Sequence, residues 1–147
     1  MNGALPTAGQ GSFNGSFSNM SAADLGTIAI KEAINRAKIK TSDVSQVIMG
    51  QVLTASCGQN PARQASINAG IPNEVTALTI NQVCGSGIRS IALGLESIMS
   101  NESEIVVAGG QENMSQAPHC FHLRQTGNMG AVSYTHLRAH ETPEHLG

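Results

Sequence analysis

Apolar residues recur at helical spacing in two long stretches of the chain. In the first stretch they lie between residues 25 and 37, after a weak capping-box pattern formed by Ser21 and Asp24. This pattern predicts a helix over about residues 21–39. The second stretch forms the strongest amphipathic stripe of the chain and predicts a helix that starts near Cys84. Its apolar positions are Ile88, Ile91, Ala92, Leu95, Ile98 and Met99.

Three short runs of β-branched and apolar residues predict strands, at residues 44–53, 75–80 and 105–108. Pro61 stands at a first helical position and opens a short predicted helix, 61–69, between the first two strands. Helices and strands therefore alternate along the chain. Alternation of this kind is typical of an α/β fold with a mainly parallel sheet that carries helices on both faces.

Composition excludes several function classes. The net charge is −2 and aromatic residues make up 3% of the chain, which disfavours nucleic-acid binding. No apolar run reaches the roughly 20 residues of a membrane helix, so no membrane partner is expected. Three cysteines without CxxC spacing argue against a disulfide framework and against a zinc site. These features predict a cytoplasmic location, or a mitochondrial or peroxisomal one if a targeting segment is lost.

The last seventeen residues, 131–147, show neither a helical nor a strand period. Their histidines do not form a zinc motif, because HETPEH is one residue too long for HExxH and Pro143 breaks the required helix. No metal site is therefore predicted. The stretch AVSYTHLRAHET resembles the in-frame translation of a sequencing adapter, so we expect an adapter-derived tail and leave it out of the fold.

Cys84 is the residue whose surroundings predict chemistry. A strand ending at Ile80, a glycine-bearing turn and a following helix resemble the arrangement that presents a catalytic nucleophile. The positive end of the helix dipole stabilises a thiolate there, and a thiolate is the reactive form of cysteine. Gly85 and Gly87 leave room for a substrate, and Ser86 can cap the helix. We predict acyl transfer through a Cys84 thioester. On local features alone, a small buried hydrophobic residue remains the alternative.

Several sequence blocks resemble motifs of the thiolase family, in the family's order. They are GSFNGSFS (11–18), GQNPARQA (58–65), NQVCGSG (81–87), IVVAGGQENMSQAP (105–118) and RQTGNMG (124–130). The resemblance is closest to acetyl-CoA C-acetyltransferases of the cytosolic type. It implies a thiolase-like layered αβαβα fold of which only the N-terminal half-domain is largely present. Residues 11–118 would form part of that domain, and residues 119–130 would begin a covering loop domain.

The resemblance also implies the activity. The cysteine that matches Cys84 accepts the acyl group in this family, so Cys84 is expected to be the catalytic nucleophile. The implied reaction condenses two acetyl-CoA molecules to acetoacetyl-CoA, or reverses that step. Coenzyme A thioesters would be substrates, with no bound cofactor, and full-length members form homodimers or homotetramers. No coenzyme-binding residue is identified. Arg63 and Gln64 lie in one family block and are expected to serve packing and subunit contact. Glu112 and Met114 lie in another and are expected to give structural support under the active-site turn.

The sequence departs from the family at both ends. Residues 1–10 lack the family's first strand, which lies inside the sheet, so its absence would leave unpaired strand edges. The downstream histidine, second cysteine and asparagine of the family are also missing. We therefore expect an N-terminal fragment that lacks activity. Two alternatives stay open: a non-catalytic fragment or interaction module, and a β-ketoacyl synthase-like enzyme, which the Asn81–Gly85 context disfavours.

Overall fold

The structure is a computed structural model that describes residues 14–119. Expectations for residues 1–13 and 120–147, which include the N-terminal arm and the adapter-like tail, lie outside the described residues. Within 14–119, helices and strands alternate as the sequence predicts. The elements are α1 (Ala22–Ala37), β1 (Gln46–Gly50), α2 (Pro61–Asn68), β2 (Thr76–Ile80), α3 (Ser86–Met99) and β3 (Val106–Gly110). None of these helices has the length and hydrophobicity needed to cross a membrane.

Local sequence signals position the first two helices. Ser21 caps α1, and its side chain and that of Asp24 satisfy each other's backbone N–H groups, which confirms the capping box. Pro61 occupies the first turn of α2, where its missing N–H costs nothing. The Asn60 side chain accepts a hydrogen bond from the Arg63 N–H. The first predicted strand, 44–53, is too long: β1 ends at Gly50, and the N–H groups of Val52 and Leu53 donate to the Glu112 carboxylate instead of to a neighbouring strand.

The three strands form one parallel sheet in the order β2-β1-β3. β1 pairs with β2 from Gln46 to Gly50, and the same five residues pair with β3 on the other side. Among the described residues β1 therefore has a partner on both sides, whereas β2 and β3 each have a strand partner on one side only. Because β2 and β3 lie on opposite sides of β1, right-handed crossovers place α2 and α3 on opposite faces.

The main core lies on the face covered by α1 and α2. There, Val47 and Met49 of β1 pack against Ile30 and Ile34 of α1, all nearly or fully buried. The small side chains of α2 complete the cluster and let this helix approach the sheet closely. The packing removes apolar surface from water and holds both helices against the strands.

On the opposite face, α3 does not bury its apolar stripe. Its buried residues are small, namely Ser86, Ser90, Gly94 and Ser97. A Cβ atom on Gly94 would lie 3.1 Å from Val106 Cγ1, so a larger residue would push the helix away from β3. The Ser90 hydroxyl lies 2.6 Å from the Gly109 carbonyl oxygen. α3 therefore packs against the sheet through the face that carries its smallest side chains, and the face that carries its large apolar side chains is exposed.

We expect Gly50→Ala to lower the free energy of unfolding by about 1–3 kcal/mol, because the added methyl overpacks the contact between β1 and α3. The new Cβ would lie 2.5 Å from the Ser86 carbonyl carbon, a backbone atom that cannot rotate aside. Urea unfolding followed by circular dichroism measures the change. Gly87→Ala is the matched control, since nothing lies within 4 Å of its added Cβ. Equal stability of Gly50→Ala and wild type would contradict the close approach.

Candidate active site

A tight turn joins β2 to α3 and carries Cys84. Asn81 Oδ1 accepts a hydrogen bond from the Val83 N–H at 2.9 Å. The Ser86 hydroxyl accepts from the Gln82 N–H at 2.8 Å and donates to the Val83 carbonyl at 2.6 Å. Side chains on both sides of the cysteine therefore fix the backbone of the turn. This corrects the expected role of Ser86, which bonds back into the turn instead of capping α3 from outside.

Val83 adopts a backbone conformation that its side chain disfavours. Its φ is +50°, in the left-handed region, where a β-branched residue is a genuine outlier. Strain of this kind persists only where surrounding bonds impose it, and it clusters at functional sites. Here the bonds from Asn81 and Ser86 impose it on the residue next to Cys84. The sequence did not reveal this feature, because valine favours extended backbone.

Cys84 itself is exposed. It immediately precedes the N-cap residue Gly85, so α3 begins two residues after the cysteine and not at it. The thiol remains beside the end of the helix whose first N–H groups lack intrahelical acceptors. The alternative of a small buried hydrophobic residue is therefore wrong for this position.

The turn borders a cavity of about 950 Å³ at the carboxyl ends of the strands. Ligands of open α/β sheets bind at this end of the sheet. One wall is α1, a second is formed by the ends of β1 and β3, and the third is the cysteine turn. Residues that represent these walls are Leu25, Ile28, Gly50, Gly110, Cys84 and Gly87. The cavity volume is typical of a small-molecule site.

Charged side chains of α1 also line the cavity. Arg36 lies 2.6 Å from Glu32, and this hydrogen bond lowers the pKa of the Glu32 carboxyl. Lys31 lies on the same wall. Residues 14–119 contain no cluster of three His, Cys, Asp or Glu side chains that could hold a metal ion.

Glu112 lines the cavity and holds the backbone that follows β1. Its carboxylate accepts hydrogen bonds from the Val52 N–H at 2.7 Å and the Leu53 N–H at 3.2 Å. Next to it, the buried side chains of Gln111 and Gln51 bond to each other at 2.9 Å. These contacts fix the segment that follows β1, in agreement with the structural role expected for Glu112.

Two of the sequence blocks meet in space although they are far apart in the chain. The Asn113 side chain donates hydrogen bonds to the carbonyl oxygens of Phe17 and Met20. The Gln116 side chain donates to the Ser18 carbonyl. The segment after β3 therefore holds the segment before α1 beside the cavity.

The block GQNPARQA (58–65) connects α2 to the neighbouring loops and does not reach the cavity. Arg63 donates to the carbonyl oxygens of Val75 and Asn73, each at 2.5 Å. Gln64 donates to the Cys57 carbonyl at 2.7 Å. Arg63 and Gln64 thus organise the loops around α2.

We expect Val83→Gly to raise the free energy of unfolding by about 1 kcal/mol, because glycine adopts positive φ without a Cβ clash. Little apolar burial is lost, since Val83 is 66% exposed. Val83→Ala keeps the Cβ and serves as the control, with a smaller gain. Urea unfolding of the three proteins gives the order, and a less stable glycine variant would show that the turn is unstrained.

Comparisons with known proteins identify the family. The family described as "Thiolase, N-terminal domain" matches residues 4–142. This range includes most of the expected arm and part of the expected tail, so the division of the chain at residues 11 and 131 stays a prediction.

Individual relatives agree with the family match. The chain is 54% identical over 122 residues to the cytosolic acetyl-CoA acetyltransferase of Rattus norvegicus, covering 83% of this chain and 31% of the relative. It is 59% identical over 109 residues to the acetyl-CoA acetyltransferase of Cupriavidus necator, covering 74% of this chain and 28% of the relative.

A solved structure shows the same fold. The Acat5 thiolase of Ascaris suum, crystallised in complex with coenzyme A, superposes with a TM-score of 0.77 at 40% identity. The superposition covers 82% of this chain and 31% of the Ascaris chain. The chain thus spans about a third of the length of its relatives, and it belongs to the thiolase family through that family's N-terminal domain.

Proposed function

We propose that Cys84 is the acyl nucleophile of a thiolase-type acyltransferase that uses acetyl-CoA. The observation that carries this proposal is the exposed Cys84 thiol on a strained turn, at the end of a parallel strand and on the wall of a large cavity. A buried cysteine could not meet a thioester, and a cysteine on a relaxed loop would not be held in one place. Family membership is an independent support.

The proposed first step is thioester exchange. The Cys84 thiolate attacks the carbonyl carbon of acetyl-CoA, and a new C–S bond forms to the enzyme. The bond from that carbon to the coenzyme sulfur breaks, and coenzyme A leaves as its thiolate, which takes up a proton. A thioester is exchanged for another thioester, so the step is nearly balanced in energy and reversible.

In the second step of the proposed reaction, a second acetyl-CoA loses a proton from its α-carbon and attacks the acetyl group on Cys84. Acetoacetyl-CoA forms, and the Cys84 thiolate is released. This step needs a base near the α-carbon. The only histidine in residues 14–119 is His119, which is not among the residues that line the cavity. We infer that residues 14–119 support the first step and do not supply a histidine base for the second.

The names of the relatives support the substrate and the location. The Ascaris thiolase was crystallised with coenzyme A, and we infer that an acyl-CoA is the ligand of the cavity beside Cys84. Relatives from rat and mouse are named as cytosolic, which supports a cytoplasmic location for this protein. The matches to acetyl-CoA acetyltransferases favour this function over the β-ketoacyl synthase alternative.

Iodoacetamide should alkylate Cys84 several-fold faster than Cys57 near neutral pH. The Cys84 thiol is exposed, whereas the Cys57 thiol is partly covered and accepts a hydrogen bond from Gln51 Nε2 at 3.3 Å. Quantitative mass spectrometry of the two tryptic peptides measures the rates. Denatured protein is the control, because both thiols are then equally accessible. Equal rates in the folded protein would remove the structural basis of the proposal.

Incubation with acetyl-CoA should add one acetyl group to Cys84, detected by intact-mass and peptide mass spectrometry. Cys84→Ala should remove the adduct and Cys57→Ala should keep it, because of the two cysteines in residues 14–119 only Cys84 lines the cavity. Hydroxylamine should cleave the adduct, as expected of a thioester.

The same preparations should show no measurable thiolysis of acetoacetyl-CoA. An unmodified Cys84 in folded protein would refute the proposed acyl-enzyme. Thiolysis that depends on Cys84 would instead show that the chain also supplies the base for the second step.

A further inference from the structure

The side chain of Asn81 joins the cysteine turn to the segment that follows β1. Asn81 comes directly after β2, and its amide is hydrogen-bonded at both ends. Oδ1 accepts a hydrogen bond from the Val83 N–H at 2.9 Å. Nδ2 donates to the Val52 carbonyl at 3.3 Å, across 29 residues of sequence. One side chain therefore connects the residue before Cys84 to the segment after β1.

Val52 is itself held in place, because its N–H donates to Glu112 Oε2 at 2.7 Å. A hydrogen bond to a carboxylate is shorter and stronger than a bond between two neutral groups. The Val52 carbonyl is therefore a fixed acceptor for the Asn81 amide. The result is a continuous chain of hydrogen bonds, which we call the relay, and its members are Glu112, Val52, Asn81 and Val83.

The chemistry of the amide explains why an asparagine suits this position. Its oxygen accepts from the backbone N–H two residues ahead, as in an Asx turn, while its NH2 group donates elsewhere. An ionised aspartate has no donor for the Val52 carbonyl. A serine has one oxygen where the amide has two separate polar atoms. Among short polar side chains, asparagine therefore offers both contacts at once.

We propose that Asn81 is a positioning residue for Cys84, which transmits to the cysteine turn the position of the backbone that Glu112 holds. The left-handed conformation of Val83, at φ +50°, persists only where surrounding bonds impose it. Asn81 is not among the residues that line the cavity, so it acts through the turn and not on the substrate. The proposal rests on the acyl transfer proposed for Cys84, because a correctly placed nucleophile attacks its substrate faster.

Acetylation kinetics of the 147-residue chain distinguish positioning from binding. Asn81→Ala should lower the rate constant for acetylation of Cys84 at saturating acetyl-CoA about tenfold, because a misplaced nucleophile reacts more slowly. The half-saturating acetyl-CoA concentration should change less than about twofold, because the Asn81 side chain does not line the cavity. Asn81→Ser keeps an oxygen that can accept from the Val83 N–H and should recover part of the rate.

Alkylation by iodoacetamide separates the position of the thiol from its accessibility. This small reagent needs an accessible thiolate and no defined orientation, so Asn81→Ala should lower the alkylation rate of Cys84 less than about twofold. A loss as large as that of acetylation would overturn the positioning role. Asn68→Ala is the matched control, since Asn68 is an exposed asparagine of α2 that does not line the cavity, and both rates should be unchanged.

A double-mutant cycle tests the relay. Glu112→Gln replaces one carboxylate oxygen by an NH2 group that cannot accept, and it should lower the acetylation rate constant several-fold. In the Asn81→Ala background the same change should have little further effect, because the connection to the turn is already broken. Equal effects in the two backgrounds would overturn the relay. Circular dichroism verifies folding, and Glu112→Asp replaces Glu112→Gln if the latter does not fold.

Hydrogen exchange separates failure of the relay from failure of the proposed function. Asn81→Ala should speed exchange in peptides that cover residues 81–87 several-fold and leave the middle of α3 unchanged. Unchanged exchange in residues 81–87 would overturn the relay. Acetylation kinetics that Asn81→Ala leaves unchanged would overturn the positioning role alone. A wild-type chain that is not acetylated at Cys84 would refute the proposed acyl transfer, and the positioning role with it.

Discussion

The close contact between α3 and the sheet is the constraint on which the rest of the molecule depends. Gly50 and Gly94 lack the side chains that would separate the two layers, and the Ser90 hydroxyl bonds directly to a carbonyl of β3. Because α3 follows the cysteine turn immediately, its position also sets the position of Cys84. The small residues of α3 face the sheet, so its large apolar residues lie on the opposite side of the helix and are exposed. The position of the cysteine turn and the exposure of the apolar stripe of α3 thus both follow from the close packing of α3 against the sheet.

The cysteine turn shows how hydrogen bonds can hold a strained backbone. Asn81 Oδ1 accepts a hydrogen bond from the Val83 N–H, and the Ser86 hydroxyl donates one to the Val83 carbonyl. The left-handed conformation of Val83 costs free energy, which the bonds and the fixed ends of β2 and α3 offset. The result is a thiol on the wall of the cavity, held by a rigid support, which is the arrangement that the proposed nucleophile requires.

In the segment after β3, the residues of the sequence motif are also the residues that make long-range hydrogen bonds. Glu112 binds the backbone after β1, and Asn113 binds the backbone before α1. Three stretches that are distant in the chain are thereby joined around one cavity. A motif comparison can identify these residues but not their partners, because a side chain that binds a backbone carbonyl leaves no signature in the sequence of its acceptor.

The sequence alone determined the order of helices and strands, the capping of α1, the start of α2 and the choice of Cys84 as the candidate nucleophile. These depend on local periodicity, on capping chemistry and on a motif, all of which are encoded in neighbouring residues. Only the tertiary structure decided that β1 lies between β2 and β3, that Val83 is strained, and that α3 turns its apolar stripe outward. Helical periodicity marks an apolar face but not what covers it. Here small residues allow the closer approach, so the opposite face was buried.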